Sequence, residues 1–293
     1  MLAYAHQPYR KTRFVGMLAA GITSLFVFSA GASDKDAALL TAKADHSAHG
    51  DAKHRGQNHH SGPPHWDYQG AAGPEHWGDL SPAYRVCGVG VQQSPIDLHD
   101  AIGAKISDVA IDYTSGPFEV VNNGHTIQVN VAPGSRIRLD GTSYKLLQFH
   151  FHHPSEHLIN GKPFEMEAHF VHISDDGVLA VLGVMISPGA ANTVLAPVWE
   201  IMPASEGKST SSRSISPADL LPRDRSLYRY LGSLTTPPCS EKVIWTVFKQ
   251  PIEASHAQLN QFSALFAMNA RPVLPLNRRF ILDSRHGTLS LGE

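Results

Sequence analysis

Two short stretches place histidines at a spacing a metal ion could use. In Gln148-Phe149-His150-Phe151-His152, strand alternation turns Gln148, His150 and His152 to one face and the two phenylalanines to the other, so two imidazoles converge from one strand. In Met166-Glu167-Ala168-His169-Phe170-Val171, the same period groups Glu167, His169 and Val171. If the two strands are neighbours, three imidazoles meet. Three neutral nitrogens on a tetrahedral zinc ion leave one position for water, the arrangement of a catalytic site rather than a closed structural one. Gln148 and Glu167 each precede a ligand by two residues on its own face, where each can accept a ring N–H and fix the tautomer. His153 alternates to the side of Phe151 and stays outside the set. A His-x-His strand alone also suits the polar face of an exposed sheet; the third histidine, with its own carboxylate, favours metal binding.

The elements that must position these residues are mostly strands. From about His65 onward, short apolar runs are separated by Gly, Pro, Asn and Asp. Strands are expected at Glu119 to Val121, His125 to Val131, Arg136 to Leu139, Lys145 to His152, Glu165 to Ile173, Val178 to Ile186 and Lys242 to Lys249. Helical spacing is sparse: Ser255 to Met268, with Ser255 as cap and Leu259, Phe262 and Phe266 on one side, and a shorter helix over Thr193 to Ile201. This is a mostly β, α+β reading, with one sheet-dominated domain and a few surface helices.

The chain of 293 residues, 42% hydrophobic and 17% charged, is long enough for a substantial core. A net charge of -2 lacks the positive balance that a nucleic-acid partner requires. Arg10, Lys11 and Arg13 precede an uncharged stretch, Phe14 to Ala32, that ends in Ala30-Gly31-Ala32. Residues 1–32 therefore read as an export signal cut after Ala32. A retained membrane anchor is the competing reading; Gly, Ser and Thr dilute the stretch, and small residues stand where a peptidase needs them. Residues 33–64 carry His46, His49, His54, His59 and His60 with no aromatic residue, and read as a disordered linker. Weak metal binding by this tail and a plain soluble spacer are both open. Export places Cys87 and Cys239, the two cysteines of the chain, in an oxidising compartment, where one disulfide is expected.

Longer motifs add a resemblance. His65-Trp66-Asp67-Tyr68, Pro74-Glu75-His76-Trp77, Gln93-Ser94-Pro95-Ile96-Asp97, Asn122-Asn123-Gly124-His125, Ser155-Glu156-His157 and Tyr228 to Cys239 (YRYLGSLTTPPC) stand in order around the two histidine strands. From His65 to about Arg279 the sequence resembles the alpha-carbonic anhydrases, of the bacterial exported type. The resemblance implies a large twisted, mainly antiparallel central sheet with zinc at the base of a conical cleft, in a domain taken as 65–293.

Carried over by position, the resemblance makes His150, His152 and His169 the zinc ligands. It implies that Thr235 orients zinc-bound hydroxide while donating to Glu156, that His125 shuttles the proton, and that Tyr68 and Asn122 order the connecting water. Val171, Val181, Leu234, Val243, Trp245 and Thr236 match the substrate pocket; apart from Thr236, their bland reading is core packing. Cys87 and Cys239 match the disulfide of exported members, which holds the loop bearing Thr235. The activity implied is reversible hydration of carbon dioxide to bicarbonate and a proton, by a periplasmic or secreted zinc lyase, monomer or homodimer, with no stable membrane anchor. The segment His152 to Glu156 is short, as in bacterial members. Gln128 lies where members differ, which leaves anion preference open. Competing readings are a metal-scavenging relative without turnover and a zinc esterase.

Overall fold

The computed structural model describes residues 63–284; the expected signal at 1–32 and the His-rich stretch up to residue 62 lie outside the described residues, as do 285–293. Beside a two-stranded sheet of Asp97–Leu98 and Leu158–Ile159, strand propensity and alternation build a mixed sheet of thirteen strands among the described residues. Its main path runs Gly207–Ile215, Gly116–Asn122, Ile127–Val131, Thr142–His152, Met166–Ser174, Leu179–Pro188, Glu241–Phe248, Leu227–Ser233, Leu282–Asp283 and Ile102–Gly103. Most pairings are antiparallel; Leu179–Pro188 pairs in parallel with Glu241–Phe248 and with Ile252–Ala254.

The two faces of the central strands have different work. Phe149, Phe151, Met166, Ala168, Phe170, Leu182 and Val184 are buried on one side, where they form the core. Each fully buried Phe there contributes about 2–3 kcal/mol of apolar burial. Trp199, on the helix Leu195–Glu200, and Phe262, on the helix His256–Ser263, close over Phe151 with ring centroids 4.8 and 6.1 Å away. Met166–Ser174 is buried at all its residues, because core covers one face and the histidine-bearing site covers the other.

The later helix starts as expected, with Ser255 and Gln258 in a reciprocal capping box. It ends at Ser263 rather than at Met268. The amides of Leu265 and Phe266 both bond to the Phe262 carbonyl, and the chain turns away to bring Asn269 to His153. Among the strands outside the sequence expectation, the two longest are Gly207–Ile215 and Leu227–Ser233. Gly207–Ile215 is almost wholly polar and mostly exposed, so no apolar run marks it. Leu227–Ser233 has Arg229 and Tyr230 both buried, which breaks alternation. Among the described residues, no helix is long and apolar enough to cross a membrane.

Candidate metal centre

The histidine strands Thr142–His152 and Met166–Ser174 are antiparallel neighbours, and their register sets His150 opposite His169 and His152 opposite Glu167. Directly opposed residues share a face, so the three imidazoles meet. Ligand atoms of His150, His152 and His169 lie within 4.8 Å of one another.

A different acceptor faces the far side of each ring. His150 Nδ1 donates to Gln148 Oε1 at 2.9 Å, and His152 Nδ1 donates to the Asn269 carbonyl at 2.8 Å. A carbonyl can only accept, so the proton of His152 is on Nδ1 and the lone pair on Nε2. That Nε2 is buried without a hydrogen-bond partner. His169 Nε2 lies 2.9 Å from Glu167 Oε1, which leaves its Nδ1 for the shared centre. Burial pushes all three imidazoles below their ordinary pKa, His152 to about 4, so they are neutral near pH 7. Three neutral, oriented nitrogens, one of them an orphan, fit Zn2+.

Glu167 is itself over-determined. Burial would raise its carboxyl, yet the charges and hydrogen bonds of His157 and His169 hold it well below the usual range. Its Oε2 also accepts the backbone amides of Glu156 and His157. His157 Nε2 lies 2.6 Å from the Tyr230 hydroxyl, which makes a 2.8 Å bond with Ser94 Oγ. Glu156 is nearly sealed, with Oε2 3.5 Å from His152 Nε2 and 3.7 Å from His169 Nδ1. Burial pushes its carboxyl up to about 7 against the opposing pull of His169, the Arg271 amide and a hydrogen bond from Thr235. Thr235 is buried in the turn closed by the disulfide Cys87–Cys239, whose Cα atoms are 5.0 Å apart.

The family model described as eukaryotic-type carbonic anhydrase matches residues 72–285. The chain belongs to the alpha-carbonic anhydrases. It is similar to the carbonic anhydrase of Nostoc sp., 44% identical over 226 residues that cover 75% of this chain and 86% of that one. Against the carbonic anhydrase of Pectobacterium carotovorum it is 45% identical, covering 74% and 90%. Its fold matches the alpha-carbonic anhydrase of Thermovibrio ammonificans, solved with the inhibitor sulfanilamide, at a TM-score of 0.74 and 49% identity over 75% of this chain and all of that one.

The remaining expected residues are placed as follows. Val181 stands opposite both Val171 and Trp245, and Val243, two residues before Trp245, is also buried. Leu234 and Thr236, on the Thr235 turn, are partly exposed. Tyr68 is buried, and its hydroxyl is held well above its usual pKa by burial and by Glu156. His125 is half-buried with its ring stacked on Trp66, centroids 3.8 Å apart. Asn122 donates through its amide to the Pro203 carbonyl and accepts from Gly124 N–H, so it shapes the turn that carries His125. His153 turns away as expected, its Nδ1 on the Ala267 carbonyl at 2.9 Å. Sequence reasoning missed Asn269, which acts on His152 through a backbone carbonyl that every residue type possesses. It also missed Arg271, whose guanidinium donates to Gln93 Oε1 and to the carbonyls of Ser94 and Cys87.

Proposed function

We propose that this carbonic anhydrase hydrates carbon dioxide reversibly with zinc held by His150, His152 and His169. The observation that carries the reading is the orphaned, buried Nε2 of His152 inside a triad whose far ring nitrogens face Gln148, the Asn269 carbonyl and Glu167. When bound, zinc acidifies a coordinated water and so supplies the nucleophile that adds to the carbon of carbon dioxide.

The chain's own residues do the rest. Gln148, Glu167 and the Asn269 carbonyl fix the three rings in the tautomers that ligation needs. Thr235 donates to Glu156, so its oxygen remains an acceptor and holds the attacking water group in one orientation. Val171, Val181, Leu234, Val243 and Trp245, with Thr236 at the turn, give apolar carbon dioxide a place beside the metal. The proton leaves by way of His125, with Tyr68 beside the route. Export fits the closed Cys87–Cys239 bond, with 1–32 as a cleaved signal, 33–64 as a linker able to bind metal weakly, and 65–293 as the catalytic domain.

Stopped-flow carbon dioxide hydration by the purified exported protein, paired with zinc content, tests the reading. One zinc per chain with rapid turnover, both lost in His169→Ala, is expected; zinc binding without hydration would overturn it.

A further inference from the structure

A polar ladder leaves the metal-site face and crosses three strands. Gln128 stands directly opposite His150, so its side chain shares the face of the ligands. Its Nε2 donates to Asn130 Oδ1 at 2.8 Å, and Asn130 Nδ2 donates to Glu119 Oε1 at 3.1 Å. Asn130 and Glu119 are opposed across Ile127–Val131 and Gly116–Asn122. The other carboxylate oxygen, Glu119 Oε2, lies 3.2 Å from Lys208 Nζ on the edge strand Gly207–Ile215.

Chemistry fixes the direction of every rung. A carboxylate paired with an ammonium only accepts, so Asn130 must show it the NH2 end. The Asn130 carbonyl then faces Gln128, which must answer with its own NH2. With Nε2 turned to Asn130, the end of the Gln128 amide that faces the other way is the carbonyl oxygen. We propose that Glu119 and Lys208, both outside the cleft, are positioning residues that set the polarity of the wall beside His150, so that Gln128 offers an acceptor there and not a donor. An acceptor favours water O–H groups on the way to His125 and disfavours anions approaching the metal. The effect on catalysis rests on the carbonic anhydrase reading; the effect on anion affinity does not require turnover.

The charge-swapped pair E119K/K208E keeps the surface ion pair and reverses the ladder. The ammonium introduced at position 119 would take the Asn130 carbonyl, Asn130 would donate to Gln128, and Gln128 would present its NH2 to the cleft. Thiocyanate binding to the zinc-loaded protein, followed by calorimetry, should tighten about tenfold, the worth of one hydrogen bond to an anion. Buffer-limited kcat should fall several-fold with kcat/KM unchanged, a split that general loosening would not give. Adding Asn130→Asp to the swap supplies an acceptor that pairs with the introduced ammonium and with the Gln128 NH2, and should restore parent affinity. A swap that leaves thiocyanate affinity unchanged, or a change that Asn130→Asp does not reverse, would overturn the ladder. Asn130→Leu, which cuts the middle rung, reads the same property without the surface pair: affinity should fall between parent and swap, and parent affinity would count against the proposal. A parent protein that binds thiocyanate without hydrating carbon dioxide would sink the activity reading alone.

Discussion

Glu167 and Gly183 fit together with no room to spare. A Cβ added at Gly183 would stand 2.9 Å from Glu167 Oε1 and 3.2 Å from Val247 Cγ2. Gly183 is opposite His169 on the neighbouring strand, so the carboxylate that holds the His169 ring occupies the space a side chain would need. Gly183→Ala should move Glu167 off His169 and weaken zinc affinity about 10- to 100-fold, the usual cost of disturbing a residue behind a ligand. Competition with a chelator measures it; unchanged affinity would mean that Val247 yields instead.

The proposed pocket wall gives a prediction of the opposite kind. Val181 is flanked across the sheet by Val171 and Trp245. Val181→Phe should fill the space beside the metal, lowering kcat/KM for carbon dioxide by about tenfold or more, since one misfit in a packed site costs about 1–3 kcal/mol. Zinc content should stay at one per chain. Parallel loss of zinc would reassign Val181 to the scaffold.

Much of this arrangement is legible in the sequence, for a physical reason. Period-two alternation ties His150, His152 and Gln148 to one face however the chain folds, and the same holds for Glu167 and His169. The sequence does not reveal strand order or register, and these decide that His150 meets His169. Contacts made through the main chain leave no sequence signal, as with the Asn269 carbonyl. Asn122, which its motif placed beside His125, holds the turn that carries that histidine.

The disulfide closes a loop of 152 residues. In the chain-entropy treatment such a loop stabilises the fold by about 5 kcal/mol, with 2–4 typical of measured cases. The double variant Cys87→Ser, Cys239→Ser should therefore lose about 2–5 kcal/mol in urea unfolding. Because Cys239 lies four residues after Thr235, kcat should fall as well. Full stability in the variant would show that the core alone fixes this loop.

A pH dependence of stability is built into His172. It is fully buried, with Nε2 2.7 Å from the Tyr113 hydroxyl and Nδ1 3.1 Å from the Ala180 carbonyl, and burial lowers its pKa from 6.5 to about 3. The folded-state pKa is depressed, so between about 3 and 6.5 the unfolded chain binds a proton that the folded chain refuses. Its contribution is complete above the unfolded pKa and is lost as pH falls, by about 1.4 kcal/mol per unit. Urea midpoints at pH 7.5 and 5 should differ less in His172→Asn than in the parent. An identical difference would place the acid sensitivity elsewhere.

His125 offers the sharpest separation of proton transfer from chemistry. Its ring stacks on Trp66 at 3.8 Å and stands 6.4 Å from the ring of His65. Burial first, and the neighbouring His65 second, lower its pKa below 6.5. An imidazole so placed gives up a proton readily, which suits the outward half of a shuttle. His125→Ala should lower buffer-limited kcat about 10- to 100-fold, recover with added imidazole, and leave kcat/KM near the parent value, because carbon dioxide addition precedes the proton's departure. Trp66→Ala opens the ring to water, so desolvation of the charged form weakens and the His125 pKa should rise toward its ordinary value in an NMR titration. If kcat in His125→Ala matches the parent at low buffer, the proton leaves by another path, and the stack on Trp66 is only packing.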